Sequence, residues 1–139
     1  MTIQWNKDDL FYVCTMIEYV SRKTHNKSKD VVVRISDKAL AHQLKTAGIN
    51  HCLSFEQVAD EWIDEFEIPK GKYDNISECR YEVPTVTSIG RVYQTLISEV
   101  VYLYQNIVEA IKKVYSSFIS DAISDYNSSV YYSNPDYIR

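Results

Sequence analysis

Apolar residues recur along this chain at intervals of three and four, the period of a helix that buries one face. Asn6 can cap a helix starting at Lys7, with Asp8 and Asp9 in the first turn, where the helix dipole favours acids. Leu10, Val13, Cys14, Ile17 and Val20 form its stripe, which fades in the polar run 21–27. Ser28 or Asp30 starts a second element. Its residues 31–35 are β-branched enough for a short strand, yet Val32, Ile35, Ala39, Leu40, Leu44 and Ala47 keep a helical period. The pattern predicts a helix broken near Ser36 and stopped by Gly48, with strand as the open alternative for 31–35. Ser54 and Gln57 make a capping box before the stripe Phe55, Val58, Ala59, Trp62, Ile63 and Phe66, which Pro69 and Gly71 end. Residues 68–86 read as a long loop with a short extended piece near 80–83. Thr87 is the expected cap of a fourth helix on Ile89, Val92, Tyr93, Leu96, Ile97 and Val100. A fifth runs about six turns from Tyr104 to Tyr126, its stripe passing through Val114, Tyr115, Phe118 and Ile119.

Five one-sided helices must bury their faces on one another, so the expected fold is all-α: a single-domain bundle of about five helices spanning 1–139, with a Tyr-rich C-terminal tail at 127–139. With 139 residues the chain is of one-domain size. Only three Gly and three Pro leave too little turn chemistry for an all-β fold.

Compartment follows from what the N-terminus lacks. It has no basic segment followed by an apolar one, no apolar run reaches membrane-spanning length, and Cys14, Cys52 and Cys79 suit neither a disulfide framework nor a zinc motif. The expectation is a cytoplasmic protein with no membrane, metal or cofactor.

Charge sharpens the picture. Residues 1–54 carry eight Lys/Arg against five Asp/Glu, whereas residues 55–82 carry three against nine. The third predicted helix holds Glu56, Asp60, Glu61, Asp64 and Glu65 with no Lys or Arg between Leu53 and Pro69. Like charges at i, i+4 destabilise an isolated helix. Such a face is either solvated or a docking surface for a basic partner; Arg22, Lys23, Lys27 and Lys29 also offer a partner within the chain.

Other chemistries find less support. No His has a Glu three residues before it, as helical di-metal sites require. Residues 38–66 resemble a helix-turn-helix only loosely, and the recognition helix would be the acidic one, which phosphates repel. The basic run 22–29 is the better nucleic-acid candidate, though it lacks interleaved aromatics, so the sequence argues against nucleic acid. There is no phosphate-binding glycine loop and no catalytic constellation. The alternative to a binding protein is a small enzyme or nucleotide-binding domain with a site near loop 70–86, using Tyr73, Cys79, Arg80 and Tyr81.

Tyrosine is the compositional anomaly, at 12 residues. Tyr93, Tyr104, Tyr115 and Tyr126 fall on apolar stripes and are expected in the core or at its boundary with hydroxyls reaching water. Tyr131, Tyr132 and Tyr137 lie in the tail, where aromatics suit either packing on the bundle or a contact surface.

The stretches 55–62 (FEQVADEW) and 125–132 (DYNSSVYY) resemble segments of small all-helical bacterial proteins of unknown function, some found beside toxin-like or ADP-ribosyltransferase-like genes. The resemblance implies an accessory, antitoxin-like or immunity-like role and supplies no site residues. The sequence therefore leads to a non-enzymatic protein–protein interaction module. It would bind an unknown protein partner, or itself, through Glu56, Asp60, Glu61, Asp64 and Glu65 together with Tyr131, Tyr132 and Tyr137.

Overall fold

The computed structural model describes residues 3–77, 79–80 and 82–126. These form seven α-helices and one 3-10 turn, with no strand among the described residues: α1 Lys7–Thr24, α2 Ser28–Val33, α3 Asp37–Asn50, α4 Phe55–Glu65, α5 Val86–Val100, the 3-10 turn Val101–Leu103, α6 Ile107–Ser116 and α7 Phe118–Ser124. The all-α fold is as expected; the number of helices is larger than about five. The tail at 127–139 lies outside the described residues.

Helix boundaries follow side-chain caps. Asn6 accepts from the Asp9 N–H, Ser36 from Ala39, Ser54 from Gln57, Thr85 from Ser88 and Asn106 from Glu109. Ser36 breaks the predicted second helix, and 31–35 is helix and its exit, not strand. Gly48 does not stop α3, which continues to Asn50. Thr85, not Thr87, caps α5. The long fifth helix is two: Ser117 takes an extended conformation (φ −83°, ψ 167°) between α6 and α7. That kink turns Phe118 outward to 80% exposure, although it sits on the predicted stripe.

Helix α1 is the hub. It packs against α2, α3, α4 and above all α5. Leu10, Val13, Cys14, Met16, Ile17 and Val20 are wholly buried in one contiguous core with Trp62, Ile89, Tyr93, Ile111 and Tyr115. Gly90 permits a close approach of α5 to α1: a Cβ there would stand 3.0 Å from Thr15 Cα and N. At the C-terminus of α1, His25 adopts the left-handed conformation (φ 58°), and the loop returns over it. Gly71 N–H donates to the Thr24 carbonyl and Tyr73 N–H to that of His25, at 2.7 and 2.9 Å.

The stripe tyrosines go deeper than expected. Tyr93, Tyr115 and Tyr126 are fully buried, so their hydroxyls do not reach water; Tyr104 is half-buried. The Tyr93 and Tyr115 rings stack at 4.0 Å with a 13° interplanar angle. Tyr93 shares a 2.8 Å hydrogen bond with Ser120. Tyr115 lies beside the Cys14 thiol, and its hydroxyl has no ordinary hydrogen-bond partner among the described residues.

Candidate functional site

The acidic helix divides in two. All five of its carboxylate residues named above are exposed. Glu56 and Asp60 face α1, where Lys23 Nζ lies 3.5 Å from Glu56 Oε1 and 3.0 Å from Asp60 Oδ1. The Asp60 carboxylate bonded to it, with Glu56 behind, raises the Lys23 pKa. Glu61, Asp64 and Glu65 continue along the outer face and form no salt bridge among the described residues. The apolar side of α4 explains this orientation: Val58, Ala59 and Trp62 are buried, and Trp62 Nε1 donates to Gln43 Oε1 of α3 at 3.1 Å.

The basic run 22–29 is engaged within the fold. Arg22 donates to Glu18 Oε2 at 2.8 Å, to Tyr126 Oη at 3.1 Å and to the Pro84 carbonyl at 2.6 Å. Glu18 is 5% exposed; Tyr126 also donates to it, and Ser28 reaches its other oxygen at 3.3 Å. A buried carboxylate is tolerated because it is paired and hydrogen-bonded. Burial works against the Arg22 charge, but Glu18 and Tyr126 outweigh it and raise its pKa. Burial, then the Glu18 charge, pushes the Tyr126 hydroxyl up. Lys27 lies 5.6 Å from the Tyr73 ring centroid, and Lys29 pairs with Asp121 at 3.0 Å.

Beside loop 70–86 the structure offers little room. A polar cavity of about 20 Å³, enough for one water, is lined by Glu18, Arg22, Tyr73, Asn75 and Ser124. Neither Cys79 nor Arg80 lines it, Tyr73 and Asn75 both donate to the Ser124 carbonyl, and Tyr81 lies outside the described residues. Among the described residues no group of three His, Cys, Asp or Glu could hold a metal ion. Nor is any helix among them long and apolar enough to cross a membrane.

A larger opening lies elsewhere. Along α1, beside the N-terminal ends of α4 and α5, lie two hollows that together make a shallow trough interrupted by Phe55. The first, about 460 Å³, is walled by Phe11, Tyr12, Ala47, Gly48, Phe55 and Thr87, with Asp8 and Asp9 at its end. The second, about 420 Å³, lies between Tyr19, Lys23, Glu56 and Val86. Phe55 stands between them, its ring 6.4 Å from that of Tyr12 and 5.6 Å from that of Tyr19. The Tyr12 hydroxyl donates to the Asn50 carbonyl at 3.2 Å. Burial, then the charge of Glu61, raises its pKa, so the acidic helix reaches the trough electrostatically. Arg91 stands on the other edge with its guanidinium 4.2 Å from the Phe11 centroid.

Sequence reasoning missed this trough. The visible signal was that Phe11, Tyr12 and Tyr19 fall outside the first stripe, making α1 apolar over more of its surface than one buried face needs. Of the residues proposed from sequence, Glu61 lies near the trough and Glu56 lines it; Asp64 and Glu65 extend from it; Tyr131, Tyr132 and Tyr137 lie outside the described residues.

Comparison with protein-family models, curated proteins and solved structures found no significant match to this chain.

Proposed function

We propose that the chain is a non-catalytic docking module, of antitoxin-, immunity- or accessory-like kind, that binds a protein partner through the outer face of α4. The observation that carries this reading is the row Glu61, Asp64 and Glu65, exposed and without a salt bridge among the described residues, next to an aromatic-walled trough. Unneutralised carboxylates at i, i+4 cost the helix stability, and a basic partner surface recovers that cost on binding. Tyr131, Tyr132 and Tyr137 belong to the same reading as an aromatic extension of the contact.

The test is co-purification of the tagged full chain from its source organism, in parallel with a variant carrying Glu61→Lys, Asp64→Lys and Glu65→Lys. A specific protein retained by the wild type and lost from the variant supports the reading. A monomer that retains nothing, or retention that ignores the charge reversal, overturns it.

A further inference from the structure

We propose that the trough along α1 receives an amphipathic helix of the partner, apolar on the face it buries and carrying Lys or Arg where it meets Asp8, Asp9 and Glu61. This rests on the docking reading above and names the kind of partner segment it takes.

Dimensions come first. Helix α1 has 18 residues, about 27 Å of axis, and the two hollows along it are lined from Asp8 at its first turn to Lys23 near its last. A helix of about 15–18 residues matches that length. The walls are those of an incomplete bundle: three helices flank a gap that a further helix would fill, the arrangement by which grooves read apolar residues at i, i+3, i+4 and i+7. Phe11, Tyr12, Tyr19 and Phe55, all half-buried, offer aromatic area. On the α3 wall Gly48 is exposed and a Cβ added there would meet nothing within 4 Å, so the space beside it is open to an incoming side chain.

Charge decides which helix. Asp8 and Asp9 line the first hollow and, like Glu61 beyond Tyr12, form no salt bridge among the described residues; His51 also lines it, and Arg91 stands over Phe11 on the far edge. Arg91 already lays its guanidinium on one face of Phe11, which demonstrates how these rings accept a cation. At the second hollow Lys23 is shared by Glu56 and Asp60 and Arg22 is paired with Glu18, so the charges there are already engaged and that end suits the apolar part of the incoming helix. A helix with acidic flanks would meet like charge.

The experiment uses a fluorescein-labelled 18-residue peptide with Leu or Phe at helical spacing and Lys/Arg at its flanks. A second peptide has Glu at the flank positions, and a third has the first composition in scrambled order. Binding is read by anisotropy and mapped by amide shifts in the full chain. The proposal expects saturable binding of the basic peptide, at least tenfold weaker binding of the other two, and shifts centred on Phe11, Tyr12, Gly48 and Phe55. Gly48→Leu should plug the trough, leaving the thermal midpoint within a few degrees and weakening the peptide tenfold or more. Glu61→Lys, at an exposed position, gives a second variant and should weaken it several-fold.

Shifts centred elsewhere, equal affinity for the acidic peptide, or indifference to both variants overturn the proposal. So do NOEs from Tyr131, Tyr132 or Tyr137 to Phe11 or Phe55 in the free chain, which would make the chain's own C-terminus the occupant. A dimer abolished by Gly48→Leu would make it a second copy. If Gly48→Leu leaves the co-purified protein bound while the triple charge reversal releases it, the trough is not its site but the docking reading stands.

Discussion

Gly90 of α5 lies against Thr15 of α1, whose hydroxyl and main chain occupy the place a Cβ on residue 90 would need. A Cβ at Gly90 would crowd Thr15 Oγ1 as well as its main chain, and Thr15 is 2% exposed with no room to turn away. Gly90→Ala should therefore destabilise the fold by about 1–2 kcal/mol, an overpacking cost of about 1–3 kcal/mol offset by up to about 1 kcal/mol of helix propensity. The urea midpoint reads it. Thr15→Ala in the same chain should recover part of the loss, because Thr15 Oγ1 has no hydrogen-bond partner to forfeit among the described residues. An unchanged midpoint for Gly90→Ala would refute the close approach.

Gly48 is the opposite case. It sits inside α3 with open space where a Cβ would go. Gly48→Ala should stabilise the chain by about 0.5–1 kcal/mol, since glycine in a helix interior carries that penalty against alanine. Thermal denaturation checks the sign: the midpoint should rise.

The Glu18, Arg22 and Tyr126 cluster ties α1 to the end of α7 and, through Pro84, to the loop before α5. Removing Arg22 leaves a carboxylate that is 5% exposed without its cation, so Arg22→Met should cost about 3–5 kcal/mol. Tyr126→Phe removes the hydroxyl that donates to Glu18 and accepts from Arg22, and should cost at least the roughly 1.5–3 kcal/mol of one hydrogen bond to a charged group. Glu18→Gln combined with Arg22→Met should be less destabilised than the two single losses together. A double-mutant cycle on chemical denaturation measures that coupling, and strict additivity would contradict the network.

Alkaline pH should unfold the protein early. Burial pushes the Cys14 thiol from 9.0 up to about 12, and raises Tyr93, Tyr115 and Tyr126 above 10.0. The folded chain therefore holds these protons where the unfolded chain releases them. Their contribution is fully present below the unfolded values and is lost as pH rises through them towards the folded ones. The thermal midpoint should be flat to about pH 8 and then fall, with Cys14→Ala giving a shallower decline between about pH 9 and 10 from a lower start. A midpoint level to about pH 11 would sink the argument.

Local caps and stripes made much of this fold legible. Asn6 and Ser54 act at the positions their side chains predict, because an N-cap needs only its own oxygen and an N–H three residues on. The break at Ser117 was hidden because Val114, Tyr115, Phe118 and Ile119 continue the helical period through it. Periodicity records which residues are apolar, not whether the axis stays straight. Gly48 misled for a related reason: a glycine near a helix end reads as a stop, yet this one sits in the α3 wall of the trough. The partnership of Lys23 with Glu56 and Asp60 was foreseeable as charge matching between segments, but which of five acids it would take depends on the crossing of α1 and α4. The trough exists only between helices distant in sequence, and no local pattern encodes a gap.

If the outer acids of α4 serve a partner and not the fold, removing them should help folding. Glu65 is in the last turn of α4, which has no basic residue, and stands four residues after Glu61. Glu65→Lys converts a repulsive i, i+4 pair into an attractive one in the favourable Glu-to-Lys order and places a cation at the negative end of the helix dipole. The two effects together should stabilise the chain by about 0.5–1.5 kcal/mol at low salt, with the gain shrinking as salt is added. Asp60→Asn makes the contrast: it removes the closer of the two carboxylates paired with Lys23 and should lower stability slightly, as loss of an exposed ion pair does, with the loss shrinking as salt is added. Thermal midpoints of both variants at two salt concentrations, measured beside co-purification of the partner, separate folding from docking. Glu65→Lys should be more stable and bind less. A variant that loses stability as well would assign that carboxylate to the fold.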